Sequence, residues 1–143
     1  MWSKMSLFEV STRVPLILSV PWVGNAGRTC PRTVELVDLY PTLVELCGLP
    51  MPAGLEGTSL ASFLKNPVAP RERPAYTFLR RGQMLGASVR TERHRYTEWA
   101  GGRGGSELYD HHSDPGENRN LAANPTQAAT VAALKRLLSE GAN

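Results

Sequence analysis

The chain has 143 residues and a net charge of +3, with 41% hydrophobic and 20% charged residues. This size and composition favour a folded domain with its own core and exclude a long disordered polar chain. The charge is too small to indicate nucleic-acid binding, and no run of 18 apolar residues predicts a membrane-spanning helix, so we expect neither nucleic acid nor membrane as a partner.

The first strong pattern is a near-continuous apolar run, V-P-L-I-L-S-V, at residues 14–20. Such a run predicts a strand that is buried on both faces, as in sheets covered by helices. The rest of the chain offers few helices to cover one, so we expect this strand to belong to a larger sheet. Left uncovered, it would pair with another chain, and we therefore predict self-association through 14–20. The alternative is that the segment folds back on a helix predicted from Leu39 to Leu46 and the chain stays monomeric.

A helix is predicted next, at residues 39–47. Asp38 is placed to cap it, and Pro41 falls in its first turn, where a missing N–H costs little. Gly48 supplies a C-terminal stop. Cys47, in an apolar stretch, is predicted to be a buried thiol.

Residues 66–74 contain three prolines and three charges and predict a linker. Beyond it the apolar pattern changes to that of an antiparallel meander of four short strands. The predicted strands are 75–79, 85–91, 95–99 and 107–109.

The chain ends in a predicted helix, capped by Asn124 with Pro125 at its first position. Val131, Leu134 and Leu138 recur at helical spacing and form its apolar face. We expect this face to cover the meander.

Several ordered motifs resemble one family. Together they are similar to the C-terminal third of type I sulfatases of the alkaline phosphatase superfamily, closest to the iduronate-2-sulfatase-like subgroup. The motifs are W-S-K at 2–4 with F-E-V-S-T-R-V-P-L-I at 8–17, V-D-L-Y-P-T-L at 37–43 with C-G-L at 47–49, and S-V-R-T, R-Y-T-E-W, E-L-Y-D, D-P, E-N and N-L at 88–91, 95–99, 107–110, 114–115, 117–118 and 120–121.

The resemblance implies an α/β fold, of which this chain would be an α+β fragment. Residues 1–65 are then the end of the large sulfatase domain, with the buried strand 14–20 and the helix 39–47. Residues 66–74 are the linker, and 75–143 are a C-terminal subdomain in which a four-stranded antiparallel sheet is packed by the last helix.

The resemblance also implies the chemistry of a full-length parent. Sulfatases use a formylglycine made within a C-x-P-x-R motif and a calcium ion that polarises the sulfate ester, while cationic side chains neutralise its oxygens. The nearest match here, Cys30-Pro31-Arg32, lacks the intervening residues. We expect no catalytic residue, metal ligand or cofactor in this chain and expect it to be inactive alone. The family's W-x-K position falls on Lys4, which implies that Lys4 contacts the substrate sulfate.

Three other groups of residues could be either functional sites or ordinary structural features. His111, His112 and Asp114 do not match known zinc spacings, and we interpret them as a turn. Trp99, Tyr96 and Tyr109 are interpreted as packing residues rather than a sugar platform. A basic group is interpreted as a solvated hairpin tip, although a role with an anionic sugar stays open. Its members are Arg90, Arg93, His94 and Arg95.

Two functions follow. The first is the C-terminal fragment of a sulfuric ester hydrolase, acting in its full-length form on a sulfated carbohydrate or another sulfate ester. The alternative is a self-standing binding or interaction module derived from that region. The substrate and the compartment are not fixed by the sequence, although full-length members are often exported, periplasmic or lysosomal.

Overall fold

The computed structural model describes residues 5–24 and 27–141. The chain divides into two compact units. The first, which we call the sheet unit, combines Met1–Pro15 with Pro74–Asn143; the second, the helical unit, is Leu16–Arg73. The division at 73/74 falls at the end of the predicted linker, but the N-terminal residues group with the sheet. The assignment of 1–65 to a larger domain stays a prediction.

The sheet unit contains the predicted four-stranded meander. Its strands lie in the order β1-β2-β3-β4 and every neighbouring pair is antiparallel. The register places Val89 opposite Tyr96 and Tyr96 opposite Leu108, so the three side chains share one face of the sheet. The strands are β1 (Ala75–Arg81), β2 (Met84–Arg90), β3 (His94–Trp99) and β4 (Ser106–Asp110).

The last helix covers this apolar face. A short 3-10 turn, Pro125–Gln127, leads into α4 (Ala128–Glu140), and the side chain of Asn124 accepts a hydrogen bond from the Thr126 N–H. The cap, the proline at the helix start and the apolar face are therefore confirmed. The core contains Val89, Tyr96, Leu108, Leu134 and Leu138, with Val131 packed against it.

The opposite face of the sheet is covered by the start of the chain. Residues 5–12, which we call the N-terminal segment, include one helical turn, α1 (Glu9–Thr12), which the sequence did not predict. Because side chains alternate along a strand, Gly86 and Ser88 of β2 and Arg95 and Thr97 of β3 point to this face, away from α4.

The helical unit is organised around a buried aspartate. A 3-10 turn (Leu36–Asp38) runs into α2 (Leu39–Leu46), and a short helix, α3 (Ala61–Lys65), follows. The Asp38 carboxylate does not cap α2. It accepts hydrogen bonds from the Glu35 N–H (2.9 Å), the Thr58 N–H (2.8 Å) and the Arg71 guanidinium (2.7 Å). The carboxylate thereby ties the loop before α3 to the start of α2, with Pro41 in the first turn as expected.

Two sequence interpretations differ from the structure. Residues 14–20 form no helix or strand, and the Ile17 side chain is 87% exposed. A strand needs a hydrogen-bonded neighbour, and none of the four strands among the described residues pairs with this segment. The second difference is Cys47, which follows the end of α2 and is exposed rather than buried. Within the described ranges, no helix combines the length and apolar character that crossing a bilayer requires.

Candidate functional site

The sequence places its one candidate substrate contact at Lys4, which lies outside the described residues. Lys4 is bonded to Met5, the first described residue. The structure shows how the segment that follows this lysine is held on the sheet.

The first anchor of the N-terminal segment is apolar. Leu7 is only 3% exposed and lies against Gly86 of β2 and the ring of Trp99 on β3. A Cβ atom at Gly86 would lie 2.8 Å from Leu7 Cδ1 and 2.6 Å from Trp99 Cζ3, so the glycine leaves the space that these side chains occupy. Phe8 extends the anchor, since its ring lies 5.9 Å from that of Tyr109.

The second anchor is a buried arginine. The Arg95 guanidinium donates from Nε to Glu117 Oε1 at 2.7 Å, and from Nη2 to the Glu9 carboxylate and to Thr12 Oγ1, the last at 2.9 Å. Its Nη1 reaches Ser88 Oγ at 3.3 Å. The side chain of Arg95 is 3% exposed and that of Glu117 is 2% exposed. One guanidinium thus joins α1 to the turn after β4 across the face of the sheet.

Two more residues complete what we call the ion-pair network, which consists of Glu9, Arg90, Arg95, His111 and Glu117. Arg90 Nε donates to Glu9 Oε2 at 3.2 Å. His111 Nε2 lies 2.9 Å from Glu117 Oε1, and its Nδ1 lies 3.1 Å from Arg90 Nη2. A guanidinium only donates, so Nδ1 accepts and the ring proton is on Nε2, facing Glu117.

The backbone closes the network. Glu117 has a φ of +55°, an uncommon conformation for a residue with a side chain. Its Oε2 accepts the N–H of Glu9 at 2.6 Å, at the first residue of α1. Because the first N–H groups of a helix have no partner within it, the carboxylate satisfies one of them and favours a helical turn there.

The charges of the network act on the carboxylate of Glu9. Burial alone would raise the pKa of Glu9, but the hydrogen bond from Arg95 and the positive charges of Arg90 and Arg95 together bring the pKa below its ordinary value. The carboxylate therefore stays ionised under mildly acidic conditions and keeps its contacts with both arginines.

The predicted solvated basic tip is wrong for most of its members. Arg95 is buried, and Arg90 is mostly covered and paired with Glu9. Arg93 is more exposed but forms a two-pronged pair with Asp110, at 2.8 and 3.1 Å, which lowers the pKa of that carboxyl. Burial lowers the pKa of His94. The sequence showed four adjacent basic groups but not the acids, distant in sequence, that neutralise them.

The aromatic residues pack as predicted: Tyr96 and Tyr109 are buried, and Trp99 is half-buried against Leu7. His111 was interpreted as part of a turn, and it does follow β4 in one. The sequence missed its link to Glu9 and Glu117. The one available signal was a charged residue, Arg95, inside an otherwise strand-like segment.

Calcium, which the family resemblance implies for a full-length parent, does not fit this network. Ligand atoms of Glu9, His111 and Glu117 lie within 4.8 Å of one another. Calcium takes six to eight oxygen ligands, whereas only two carboxylates converge here. Both carboxylates already bind the Arg95 guanidinium, which stands where a cation would bind.

Comparison with known proteins identifies the family. The family model described as "N-sulphoglucosamine sulphohydrolase, C-terminal" matches residues 1–143. The chain belongs to the sulfatase family. This confirms the resemblance drawn from the sequence motifs, whereas the iduronate-2-sulfatase-like subgroup stays a proposal.

Two curated relatives and one solved structure show which sulfatases this chain is similar to. It is 32% identical to a Delta 4,5-hexuronate-2-O-sulfatase of Bacteroides thetaiotaomicron, over 95% of this chain and 30% of that protein. It is 34% identical to arylsulfatase K of Mus musculus, over 83% of this chain and 23% of that protein. The solved structure of a 2-O GAG sulfatase shares the fold with a TM-score of 0.65 and 34% identity, over 72% of this chain and 23% of that chain. The chain thus spans less than a third of each relative.

The ion-pair network predicts a large effect of Arg95→Met on this sulfatase chain. The substitution leaves the buried Glu9 and Glu117 carboxylates without their shared partner, so the free energy of unfolding should fall by about 3 kcal/mol. Arg136→Met on the exposed face of α4 is the matched control and should change it by less than about 0.5 kcal/mol. Urea unfolding followed by circular dichroism measures both.

Amide hydrogen exchange at Glu9 gives a local readout for the same pair of variants, because this N–H is bonded to Glu117. Exchange should accelerate in Arg95→Met only. A stability loss below about 1 kcal/mol with unchanged exchange would contradict the anchoring role of Arg95.

Proposed function

We propose that residues 1–143 form the C-terminal part of a sulfatase that hydrolyses sulfated sugars, with Lys4 contacting the sulfate of the bound ester. The observation that supports this most directly is the anchoring of the residues that follow Lys4. Leu7 and Glu9 are each fixed on the sheet by separate groups. A lysine that must meet a sulfate in a defined geometry benefits from such a support, because catalytic and binding groups act best when held in place beforehand.

The substrate class rests on the relatives. The Bacteroides protein is named for a 2-O-sulfate on a hexuronate, and the solved relative for a 2-O GAG sulfate. We therefore propose a 2-O-sulfated uronic acid, in agreement with the iduronate-2-sulfatase-like subgroup. The other function considered, a self-standing binding module, has no comparable support among the described residues.

Catalysis needs groups that these 143 residues do not contain. In the family, formylglycine supplies the nucleophile and calcium polarises the ester, and neither a C-x-P-x-R motif nor a fitting calcium site is present among residues 1–143 and their described structure. At the near match, Cys30 is exposed, and Arg32 donates to the carbonyl oxygens of Val68 (2.6 Å) and Ala69 (2.7 Å). This arginine has a structural role within the helical unit.

The chain alone is expected to release no product from an aryl sulfate, because the nucleophile is missing. The measurement is release of 4-nitrophenol from its sulfate ester, with and without calcium and with a chelator. Turnover that the chelator abolishes would contradict the proposal that the chemistry requires residues outside this sequence.

The role of Lys4 predicts weak, sulfate-dependent binding by the chain. Titration with a 2-O-sulfated methyl uronide, followed by nuclear magnetic resonance, should show perturbed signals in the N-terminal segment. Lys4→Ala should weaken this binding about 10-fold, the loss of one charge-assisted contact. Lys135→Ala on α4 is the control and should leave it unchanged. An equal affinity for the desulfated uronide would show that Lys4 does not read the sulfate.

We also propose that the chain self-associates through residues 14–20. Ile17 is 87% exposed, and the nearby Trp22 is 71% exposed. Burying one such aliphatic side chain is worth about 1.5–3 kcal/mol. Among the described residues this segment pairs with no strand, so its backbone can form a strand with a second copy, which satisfies its N–H and C=O groups.

Light scattering at tens of micromolar is expected to show a dimer or a larger species for the wild type. Ile17→Lys should shift it to monomer, because the charge would have to be buried, whereas Val68→Lys at an exposed position elsewhere in the helical unit should not. Reductant is required because Cys30 and Cys47 are exposed thiols. A monomeric wild type would contradict this mode of association.

A further inference from the structure

Arg81 differs from the other arginines that hold the N-terminal segment. Arg90 and Arg95 pair with the carboxylate of Glu9. Arg81 contacts the segment through a backbone carbonyl instead, and within residues 5–24 and 27–141 no carboxylate pairs with it. Its positive charge is therefore not neutralised by the protein, although the residue is exposed and sits at the end of β1.

Two contacts orient the Arg81 guanidinium. Its Nη2 donates to the carbonyl oxygen of Met5 at 2.5 Å, and its Cζ lies 5.0 Å from the centre of the Trp99 ring. The Trp99 ring attracts the guanidinium and restricts its position, and the Met5 carbonyl holds one of the guanidinium nitrogens, Nη2. A guanidinium has five N–H donors, so these two contacts leave most of its hydrogen-bonding edge available.

Among the described residues, no acid forms an ion pair with Arg81, whose contacts are the Met5 carbonyl and the Trp99 ring. The β1–β2 turn is Gly82-Gln83, and the β3–β4 loop, A-G-G-R-G-G at 100–105, adds a second cation, Arg103. Glu98, the nearest acid before that loop in sequence, points to the other face of the sheet, where it lies 3.1 Å from Lys135. The two turns themselves thus contribute one cation and no acid.

From this geometry we propose that Arg81, supported by Trp99, binds the carboxylate of the sulfated uronic acid while Lys4 binds its sulfate. The inference rests on the proposed function: Lys4 is bonded to Met5, and Arg81 on β1 donates to the carbonyl oxygen of that same Met5. A planar guanidinium matches a carboxylate with two parallel hydrogen bonds, which a lysine does not. Arg81 is then a specificity residue that distinguishes uronides from neutral sulfated sugars.

The test uses the 143-residue chain and three ligands: the 2-O-sulfated methyl uronide, its carboxyl-reduced counterpart with the sulfate kept, and the desulfated uronide. Binding is followed by nuclear magnetic resonance, with the indole N–H of Trp99 as the local probe. Arg81→Gln should weaken binding of the sulfated uronide about 10-fold and leave the carboxyl-reduced ligand unaffected. Gln retains an N–H donor for the Met5 carbonyl, and Arg136→Gln on α4 is the control.

Four results separate the inference from the proposed function. A wild-type chain that binds the uronide and its carboxyl-reduced counterpart equally well overturns the role of Arg81 and leaves that of Lys4 intact. An equal loss for both ligands in Arg81→Gln shows that the residue only holds the segment and also overturns it. Carboxylate-dependent binding that does not depend on sulfate or on Lys4 overturns the proposed function but supports Arg81. Absence of binding to any ligand at millimolar concentration contradicts both.

Discussion

The sheet unit depends on one guanidinium buried between two carboxylates. Glu9 and Glu117 are separated by 108 positions in the sequence, and Arg95 of β3 binds both. A buried ion is unfavourable unless its charge is matched and its donors are satisfied. Here two glutamates face two arginines, so these four charges balance. These paired charges hold the start of the chain on the sheet.

The two faces of the sheet are held by different kinds of interaction. The α4 face uses Val89, Tyr96 and Leu108, whose apolar contacts tolerate small changes of position. The opposite face uses directional hydrogen bonds and a glycine, Gly86, whose missing side chain leaves room for Leu7. Apolar packing can stabilise a helix on a sheet, but directed polar contacts determine where an irregular segment lies along it. The face opposite α4 is thus the one whose contacts fix the position of the N-terminal segment along the sheet.

The sequence predicted what is determined locally. The four strands follow from alternation and turn residues, and the last helix from the Asn124 cap and the spacing of Val131, Leu134 and Leu138. The ion-pair network could not be predicted, because Glu9 and Glu117 are ordinary glutamates until the fold brings them to Arg95.

The apolar run at 14–20 shows the opposite case: a sequence reveals the tendency of a segment to be buried, but the described residues provide no strand that pairs with this one. Cys47 is a smaller case, since a residue just past the end of α2 is not held to the buried side of the helix. The order of the motifs predicted the family correctly, since the family model matches residues 1–143. The apolar character of single segments did not predict their burial correctly.

The anchors of the N-terminal segment occur at every second residue: Met5 is held by Arg81, Leu7 by Gly86 and Trp99, and Glu9 by Arg95. Fixing the backbone of a residue costs about 1–2 kcal/mol, so an irregular stretch stays ordered only where contacts offset this at short intervals. The spacing continues up to the residue bonded to Lys4. On the proposed function, the sheet unit serves a sulfatase by holding a substrate-binding lysine in place rather than by taking part in the chemistry. Because the charges of the network are paired with one another, the same proposal implies that the network does not compete with Lys4 and Arg81 for an anionic substrate.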